Sequence, residues 1–137
     1  MPIVFYWERD MLLTLAKRRG IDLCFREYLS VDDGEDMFVF MYRWIIDRCP
    51  FLHKNICLIH RTKPLSCKMF PLVLSVPDCR LYLSAKCRWV SENISKVQAD
   101  ALHEVFDEFD VAIRVLCLVK EFLDEARRRE WKVKVYG

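Results

Sequence analysis

Apolar residues recur with a helical period near both ends of this chain, and strand-like runs lie between them. Over residues 8–19 the apolar positions follow helical spacing and Gly20 stands where a C-terminal cap belongs, which predicts an N-terminal helix. The runs FREYLSV and DMFVFMYRWII, joined by a turn that contains Asp33 and Gly34, predict a β-hairpin. The second run is apolar on both faces, as expected of a central strand.

Residues 49–90 are predicted to form shorter pieces that cysteines interrupt. Pro64 is expected to open a single turn of helix. The strand-like runs at residues 72–76 and 81–85 flank Pro77 and Asp78, which predicts a second hairpin that leads to Cys87.

The last third of the chain is predicted to be helical, because apolar residues recur at three-, four- and seven-residue steps between Leu102 and Leu123. A continuous helix over residues 96–130 would exceed the usual length, so we allow for a break near residues 108–110. Residues 112–123 are apolar nearly all round, which indicates burial from several sides or a homodimer contact through this helix. The predicted fold class is α+β, with an N-terminal helix, two β-hairpins around a cysteine site and a long C-terminal helical segment.

Composition and charge are typical of one soluble globular domain spanning residues 1–137. The net charge of +2 does not indicate nucleic-acid binding, and the basic run at residues 127–129 is expected to be a solvated helix end. No apolar run reaches the roughly 20 residues of a membrane span, and the N-terminus lacks the basic flank of a secretory signal. We therefore expect a cytoplasmic protein without a membrane partner. No sequence motif indicates a catalytic mechanism, so enzymatic activity stays open.

The seven cysteines favour metal binding, because a reducing cytosol keeps ordinary thiols unpaired. Two alternatives to metal binding stay open. One is disulfide bonding, since the chain has a thermophile-like scarcity of amides, with one glutamine and two asparagines, and intracellular proteins of hyperthermophiles can be rich in disulfides. The second alternative is that the cysteines are small, buried hydrophobic residues.

Four of the cysteines are candidate metal ligands: Cys49, Cys57, Cys67 and Cys87. Thiolates bind zinc and iron–sulfur clusters, and a closed shell generally takes four of them. The gaps of seven, nine and nineteen residues lack the C-x2-C knuckle of common zinc ribbons, so the spacing alone is a weak signal. Cys79 is an alternative fourth ligand, whereas Cys24 and Cys117 are expected in the core. His53 and His60 could bind a metal through imidazole, but each is expected to be solvated or to contact a ligand instead.

The segment CPFLHKNICLIHRTKPLSCKMFP resembles the signature of the YkgJ-like family, also described as CxxCxxCC zinc- or iron-chelating proteins, whose usual form is CPFL, a gap, C-x-I-Y and then RP-x-x-CR-x-FP. The residues that match are Cys49, Pro50, Phe51, Leu52, Cys57, Ile59, Pro64, Cys67, Phe70 and Pro71. In that family a further cysteine commonly follows a strand, and Cys87 after LYLSA is similar in placement. This sequence departs from the form at His60, Lys63 and Lys68, and it lacks the N-terminal CxxCxxCC. The resemblance covers about residues 37–90.

The resemblance implies a metal or iron–sulfur centre, and the family includes flagellin lysine methylases, in which a cluster is implied. The irregular cysteine spacing also fits a cluster better than a zinc knuckle. Basic side chains suited to the negative charge of either centre are Lys54, Arg61, Lys63 and Lys68. We therefore favour one structural 4Fe-4S cluster over zinc. Two further functions stay open: redox, electron-transfer or accessory work in a protein-modifying enzyme, and helix-mediated adaptor binding with disulfides or free thiols instead of metal.

Overall fold

The computed structural model describes residues 2–96 and 102–136, and within them the fold is α+β, as predicted. The elements up to Cys57 are β1 (Ile3–Phe5), α1 (Tyr6–Arg18), β2 (Phe25–Asp32), β3 (Met37–Trp44), β4 (Leu52–His53) and β5 (Ile56–Cys57). The later elements are α2 (Leu65–Met69), β6 (Leu72–Ser75), β7 (Arg80–Leu83), α3 (Arg88–Asn93), a 3-10 turn (Ile94–Lys96), α4 (Leu102–Val105), α5 (Phe109–Arg128) and β8 (Lys132–Val135). The chain divides into two compact units: Met1–Pro64 with Ala126–Gly137, and Leu65–Glu125. The single-domain organisation stays a prediction.

A four-stranded antiparallel sheet in the order β1-β3-β2-β8 is the frame of the first unit. β2 and β3 form the predicted hairpin, and β3 lies between β1 and β2, as expected of a central strand. Their turn holds Gly34 at a φ of +98°, which glycine adopts without steric penalty. The carboxylate of Asp33 stabilises the turn by accepting hydrogen bonds from the N–H groups of Glu35 and Asp36 at 2.9 and 2.8 Å.

The predicted N-terminal helix is confirmed as α1. It begins after Phe5, whose N–H donates to Oε1 of the buried Glu8 at 2.9 Å, so a side chain satisfies a backbone donor at the helix start. It ends at Arg18, and Gly20, the first residue after the cap residue Arg19, has a φ of +65°. There the N–H of Ile21 donates to the carbonyl oxygen of Ala16 at 2.9 Å, the 6→1 bond of a Schellman motif. The glycine cap predicted from the sequence is therefore present.

The buried core cluster of the first unit joins α1, the sheet and the segment that follows the sheet. Its members are Val4, Leu12, Ala16, Trp44, Phe51 and Ile59. Trp44 ends β3 and is 1% exposed, and its ring centroid lies 6.1 Å from that of Phe51. Phe51 and Ile59 belong to the irregular segment after β3, so the region around Cys49 and Cys57 is tied to this core.

Two edge strands of the sheet, β1 and β8, were not predicted. β1 has only three residues, too few for a hydrophobic period to be recognised. β8 lies in the basic C-terminal segment, and its pairing with β2 places Leu29 opposite Val135. The alternation of lysine and valine at residues 132–135 is the signal that would have identified an edge strand with one charged face.

The second unit contains the second predicted hairpin, formed by β6 and β7, and the short helix predicted after Pro64, which is α2. The C-terminal helical segment is interrupted, and α5 begins at Phe109, where a break was allowed. Ahead of it, Phe106 is buried and its ring meets that of Trp89 edge to face at a centroid distance of 5.5 Å. Residues 97–101 of the predicted helical segment lie outside the described residues.

Within one chain, α5 is buried on one face rather than on several. Ala112, Val115 and Val119 are buried at helical spacing, whereas Ile113 and Leu118 are exposed. Some of the apolar residues that nearly encircle α5 are therefore exposed in the single chain.

Candidate metal centre

Cys49 and Cys57 stand at the open end of the β4–β5 hairpin in the first unit. Cys57 ends β5 and is paired with Leu52 of β4. Cys49 lies in the turn just before β4, where the N–H of Leu52 donates to the carbonyl oxygen of Cys49 at 3.2 Å. The pairing continues beyond the strands, since the N–H of Leu58 donates to the carbonyl oxygen of Phe51 at 2.9 Å. Both cysteines are therefore held at the end opposite to the hairpin turn.

That hairpin turn is formed by Lys54 and Asn55, whose φ values of +48° and +64° have the signs of a two-residue type I′ turn. The register pairs His53 with Ile56, so Lys54 and Asn55 are the two residues of the turn. His53 and His60 are both exposed, as expected of solvated side chains.

The thiols of Cys49 and Cys57 are partly buried and pack against the core cluster of the first unit. Trp44 belongs to the same cluster, and its indole Nε1 is buried with no hydrogen-bond partner among the described residues. A buried donor without an acceptor costs about 1–3 kcal/mol, so each such group needs a physical reason. A sulfur acceptor beside the two cysteines would satisfy it. Sequence reasoning did not identify Trp44, because an unpaired buried donor leaves no trace in a hydrophobic pattern.

Cys67 and Cys87 stand at the open end of the β6–β7 hairpin in the second unit. Cys67 lies within α2, shortly before β6, and Cys87 directly precedes α3, shortly after β7. The N–H of Ser84 donates to the carbonyl oxygen of Pro71 at 2.8 Å, which extends the hairpin toward both cysteines. The N–H of Cys87 then donates to the carbonyl oxygen of Ser84 at 3.2 Å, so a tight turn fixes its backbone. Both thiols are partly buried.

Ser66, the residue before Cys67, carries a second buried polar atom of interest. Its Oγ has no hydrogen-bond partner among the described residues. A hydroxyl group can donate to a thiolate or sulfide, and Ser66 is the sequence neighbour of the candidate ligand Cys67.

Cys79 lies at the other end of the β6–β7 hairpin, in its turn, with a φ of +53°. The hairpin ladder spans three residue steps, or about 10 Å, between that turn and the open end. Burial raises the pKa of the Cys79 thiol, as do the carboxylates of Asp78 and Asp124, while Lys120 acts in the opposite direction. A raised pKa makes the thiolate less available as a ligand. Both observations favour Cys87 over Cys79 as the fourth ligand.

Of the predicted ligands, Cys49 and Cys57 belong to the first unit, and Cys67 and Cys87 belong to the second. Within residues 2–96 and 102–136, no group of three or more histidine, cysteine, aspartate or glutamate residues is placed to hold a metal ion. All seven cysteines lie in the described part of the chain, and none of them forms a disulfide.

The expectation that Cys24 and Cys117 lie in the core is wrong, because both are exposed. Cys24 directly precedes β2, in a stretch over residues 21–27 where half-buried and exposed residues alternate, and it is one of the exposed residues. Cys117 lies between the buried Val115 and Val119 along α5, on the opposite face of the helix. Apolar neighbours in the sequence did not show which side chains face inward.

Comparisons of this chain with protein-family models, with curated proteins and with solved structures give no match. The resemblance to the YkgJ-like family therefore rests on the residues of the quoted motif alone. Among the helices of the described residues, none combines the length and the apolar composition that crossing a bilayer requires.

Proposed function

We propose that the four candidate cysteines bind one 4Fe-4S cluster, with zinc as the alternative, and that this centre has a structural role in a cytoplasmic protein. The observation that carries the proposal is their placement: each unit holds one pair of partly buried thiols at the open end of a two-stranded hairpin. The chain enters and leaves a hairpin at that end, so two residues far apart in sequence are held near one another. The motif residues of the CPFL signature are the second line of support.

Two buried donors, one in each unit, also suit an anionic sulfur centre. Trp44 Nε1–H and Ser66 Oγ–H are buried and lack partners among the described residues. Hydrogen bonds to charged acceptors are stronger than those between neutral groups, so a thiolate or sulfide would compensate for the burial of both. Lys68 directly follows Cys67 in α2 and would add positive charge near that ligand.

A bound centre of this kind would supply folding free energy directly, because four ligands converge on it only in the folded chain. A cluster would also be capable of one-electron redox chemistry, which keeps the electron-transfer and accessory-subunit roles as variants of the same proposal. A separate candidate is an adaptor that binds its partner through α5. The exposed Ile113 and Leu118 on that helix favour it.

Replacement of one ligand tests the metal proposal. Cys67→Ala should lower metal content and thermal stability together, whereas Cys117→Ala, which removes an exposed thiol of α5, is the control and should change neither. Iron, sulfide and zinc are measured on protein purified without oxygen. A brown protein that absorbs at about 400 nm contains an iron–sulfur cluster, whereas a colourless protein that contains zinc supports the zinc alternative. Metal-free wild type, or a Cys67→Ala protein with unchanged metal content and Tm, would contradict the proposal.

Removal of whole pairs tests whether there is one shell. If all four thiolates bind one centre, then Cys49→Ala with Cys57→Ala, and Cys67→Ala with Cys87→Ala, should each abolish binding completely. If each pair holds an ion of its own, each double variant keeps half of the wild-type metal. The second result would replace the single centre by two independent dithiolate sites.

A further inference from the structure

One exposed surface of the first unit combines aromatic and acidic side chains, and we call it the aromatic–acidic surface. Its residues are Tyr6, Trp7, Glu35, Asp36, Met37 and Phe38. The ring centroid of Tyr6 lies 5.0 Å from that of Trp7 and 5.1 Å from that of Phe38, both edge to face. These contacts hold the rings in place before any partner arrives, which lowers the entropic cost of binding.

The acidic part of this surface comes from the β2–β3 turn, where four of five consecutive residues from Asp32 to Asp36 are carboxylates. The sheet register places one basic residue, Lys132, opposite Asp32. The carboxylates outnumber it, so the turn presents negative charge next to the rings. An apolar partner that also carries positive charge would complement both features.

A second exposed surface of the first unit has the complementary composition, and we call it the basic hairpin. Its residues are Lys54, Ile56, Leu58 and Arg61. Ile56 is 65% exposed, an unusual position for a β-branched aliphatic side chain in a strand. The two-residue turn at Lys54 and Asn55 keeps the hairpin short and projects a lysine from its tip.

The two surfaces lie at opposite ends of β3. Met37 begins that strand next to the acidic turn, and Trp44 ends it before the segment that leads to the hairpin. Six residue steps from Phe38 to Trp44 correspond to about 20 Å. Both surfaces are exposed in the folded chain, so they do not contact each other within one copy.

We infer that the basic hairpin of one copy docks on the aromatic–acidic surface of a second copy. Ile56 and Leu58, which alternate with Cys57 and so share one face of the hairpin, would bury their side chains against the rings. Lys54 would approach the carboxylates and the ring faces, an ion pair combined with a cation–π contact. Such a contact joins two different surfaces, so each added copy leaves one of each unused, and association continues head to tail unless a ring closes. This inference does not depend on metal binding.

Two variants that each disable one surface provide the test. The hairpin variant carries Lys54→Glu and Ile56→Ser, and the surface variant carries Glu35→Lys and Met37→Ser. All four positions are exposed, and circular dichroism checks that both proteins are folded. Sedimentation velocity is run from micromolar to millimolar protein with a reductant, so that Cys24 and Cys117 cannot crosslink copies.

Wild-type protein should show an average mass that rises with concentration and falls with added salt. Each variant alone should associate at least about tenfold more weakly than wild type. An equimolar mixture of the two should form a heterodimer and stop there, because one intact hairpin meets one intact surface and nothing remains to extend the chain. Ile113→Ser on α5 is the control and should associate as wild type does.

Four results would overturn the inference. Wild-type protein that stays monomeric at every concentration has no such contact, and this measurement needs no variant. Variants that associate as strongly as wild type would place the contact elsewhere, and loss of association in Ile113→Ser would assign it to α5. A mixture that remains monomeric would show that the two surfaces do not bind each other.

Discussion

Replacement of Trp44 by phenylalanine tests whether the buried indole N–H donates to the proposed sulfur centre. Trp44 is 1% exposed in the cluster against which Cys49 and Cys57 pack, and its Nε1 has no partner among the described residues. Phenylalanine keeps an aromatic ring at the end of β3 and removes the donor. The change therefore has two effects, a loss of packing volume and the loss of one N–H group.

The two effects separate when metal-free and zinc-loaded proteins are compared. Loss of packing volume destabilises both forms alike, so it cancels in the difference between them. In the metal-free form the donor is unsatisfied, and its removal relieves about 1–3 kcal/mol, which offsets part of the cavity cost. In the loaded form a hydrogen bond to a charged acceptor, about 1.5–3 kcal/mol, is lost. The two terms add, so zinc binding should weaken by about 2.5–6 kcal/mol, a fall in affinity of about 60-fold or more.

Zinc affinity is measured under reducing conditions by competition with a chromophoric chelator, and stability by urea denaturation of both forms. Trp89→Phe is the control, because Trp89 is an exposed residue of the second unit and should leave zinc affinity unchanged. If zinc binds wild type and the folded Trp44→Phe protein equally within about twofold, Trp44 does not donate to the centre. If neither protein binds zinc or a cluster, the metal proposal itself fails.

Two further predictions follow from shifted pKa values. Burial and the carboxylates of Asp78 and Asp124 raise the pKa of Cys79, so at neutral pH iodoacetamide should alkylate it more slowly than the exposed Cys24, and Asp78→Asn should speed the reaction. Mass-spectrometric mapping measures the alkylation rates of both cysteines. An unchanged rate for Cys79 in Asp78→Asn would contradict the role of the Asp78 carboxylate in raising the pKa of Cys79. The N–H groups of Asp36 and Glu35 lower the pKa of Asp33. The ionised Asp33 carboxylate therefore stabilises the folded protein above the usual aspartate pKa, and this contribution is lost as pH falls through the lowered pKa of Asp33. The Asp33→Asn protein lacks this carboxylate, so its free energy of unfolding should fall less on acidification than that of wild type. Urea denaturation midpoints of wild type and Asp33→Asn are compared from about pH 6 to about pH 2. If the two midpoints fall in parallel with pH, the prediction is wrong.

Much of the fold could be predicted because local chemistry marks the ends of its elements. Gly20 caps the C-terminal end of α1, Gly34 shapes the β2–β3 turn, and Pro64 precedes α2, each through a backbone preference that acts within a few residues. β8 escaped prediction because its partner lies about a hundred positions earlier, where Leu29 meets Val135. Local patterns do not encode pairing over that distance.

The candidate site was less predictable than the fold. Exposure of Cys24 and Cys117 depends on which face of an element packs inward, and tertiary contacts decide that. The division of the ligands into two pairs depends on hairpin register, and the unsatisfied donor of Trp44 depends on every neighbouring acceptor. None of these is a property of a residue and its near neighbours in sequence.

The two hairpins also suggest a physical reason why the candidate ligands lack the C-x2-C spacing of common zinc ribbons. In a C-x2-C knuckle a tight turn sets the separation of two ligands, so the spacing is short and constant. Here the residues between Cys49 and Cys57, and between Cys67 and Cys87, include the strands and turn of a hairpin. The number of residues between the two cysteines of a pair then depends on the length of the hairpin between them. Lengthening the β6–β7 hairpin by one residue pair leaves its open end intact, so the gap can vary while the two thiols keep their places. A search for such centres should therefore look for cysteines that flank a hairpin, whatever the number of residues between them.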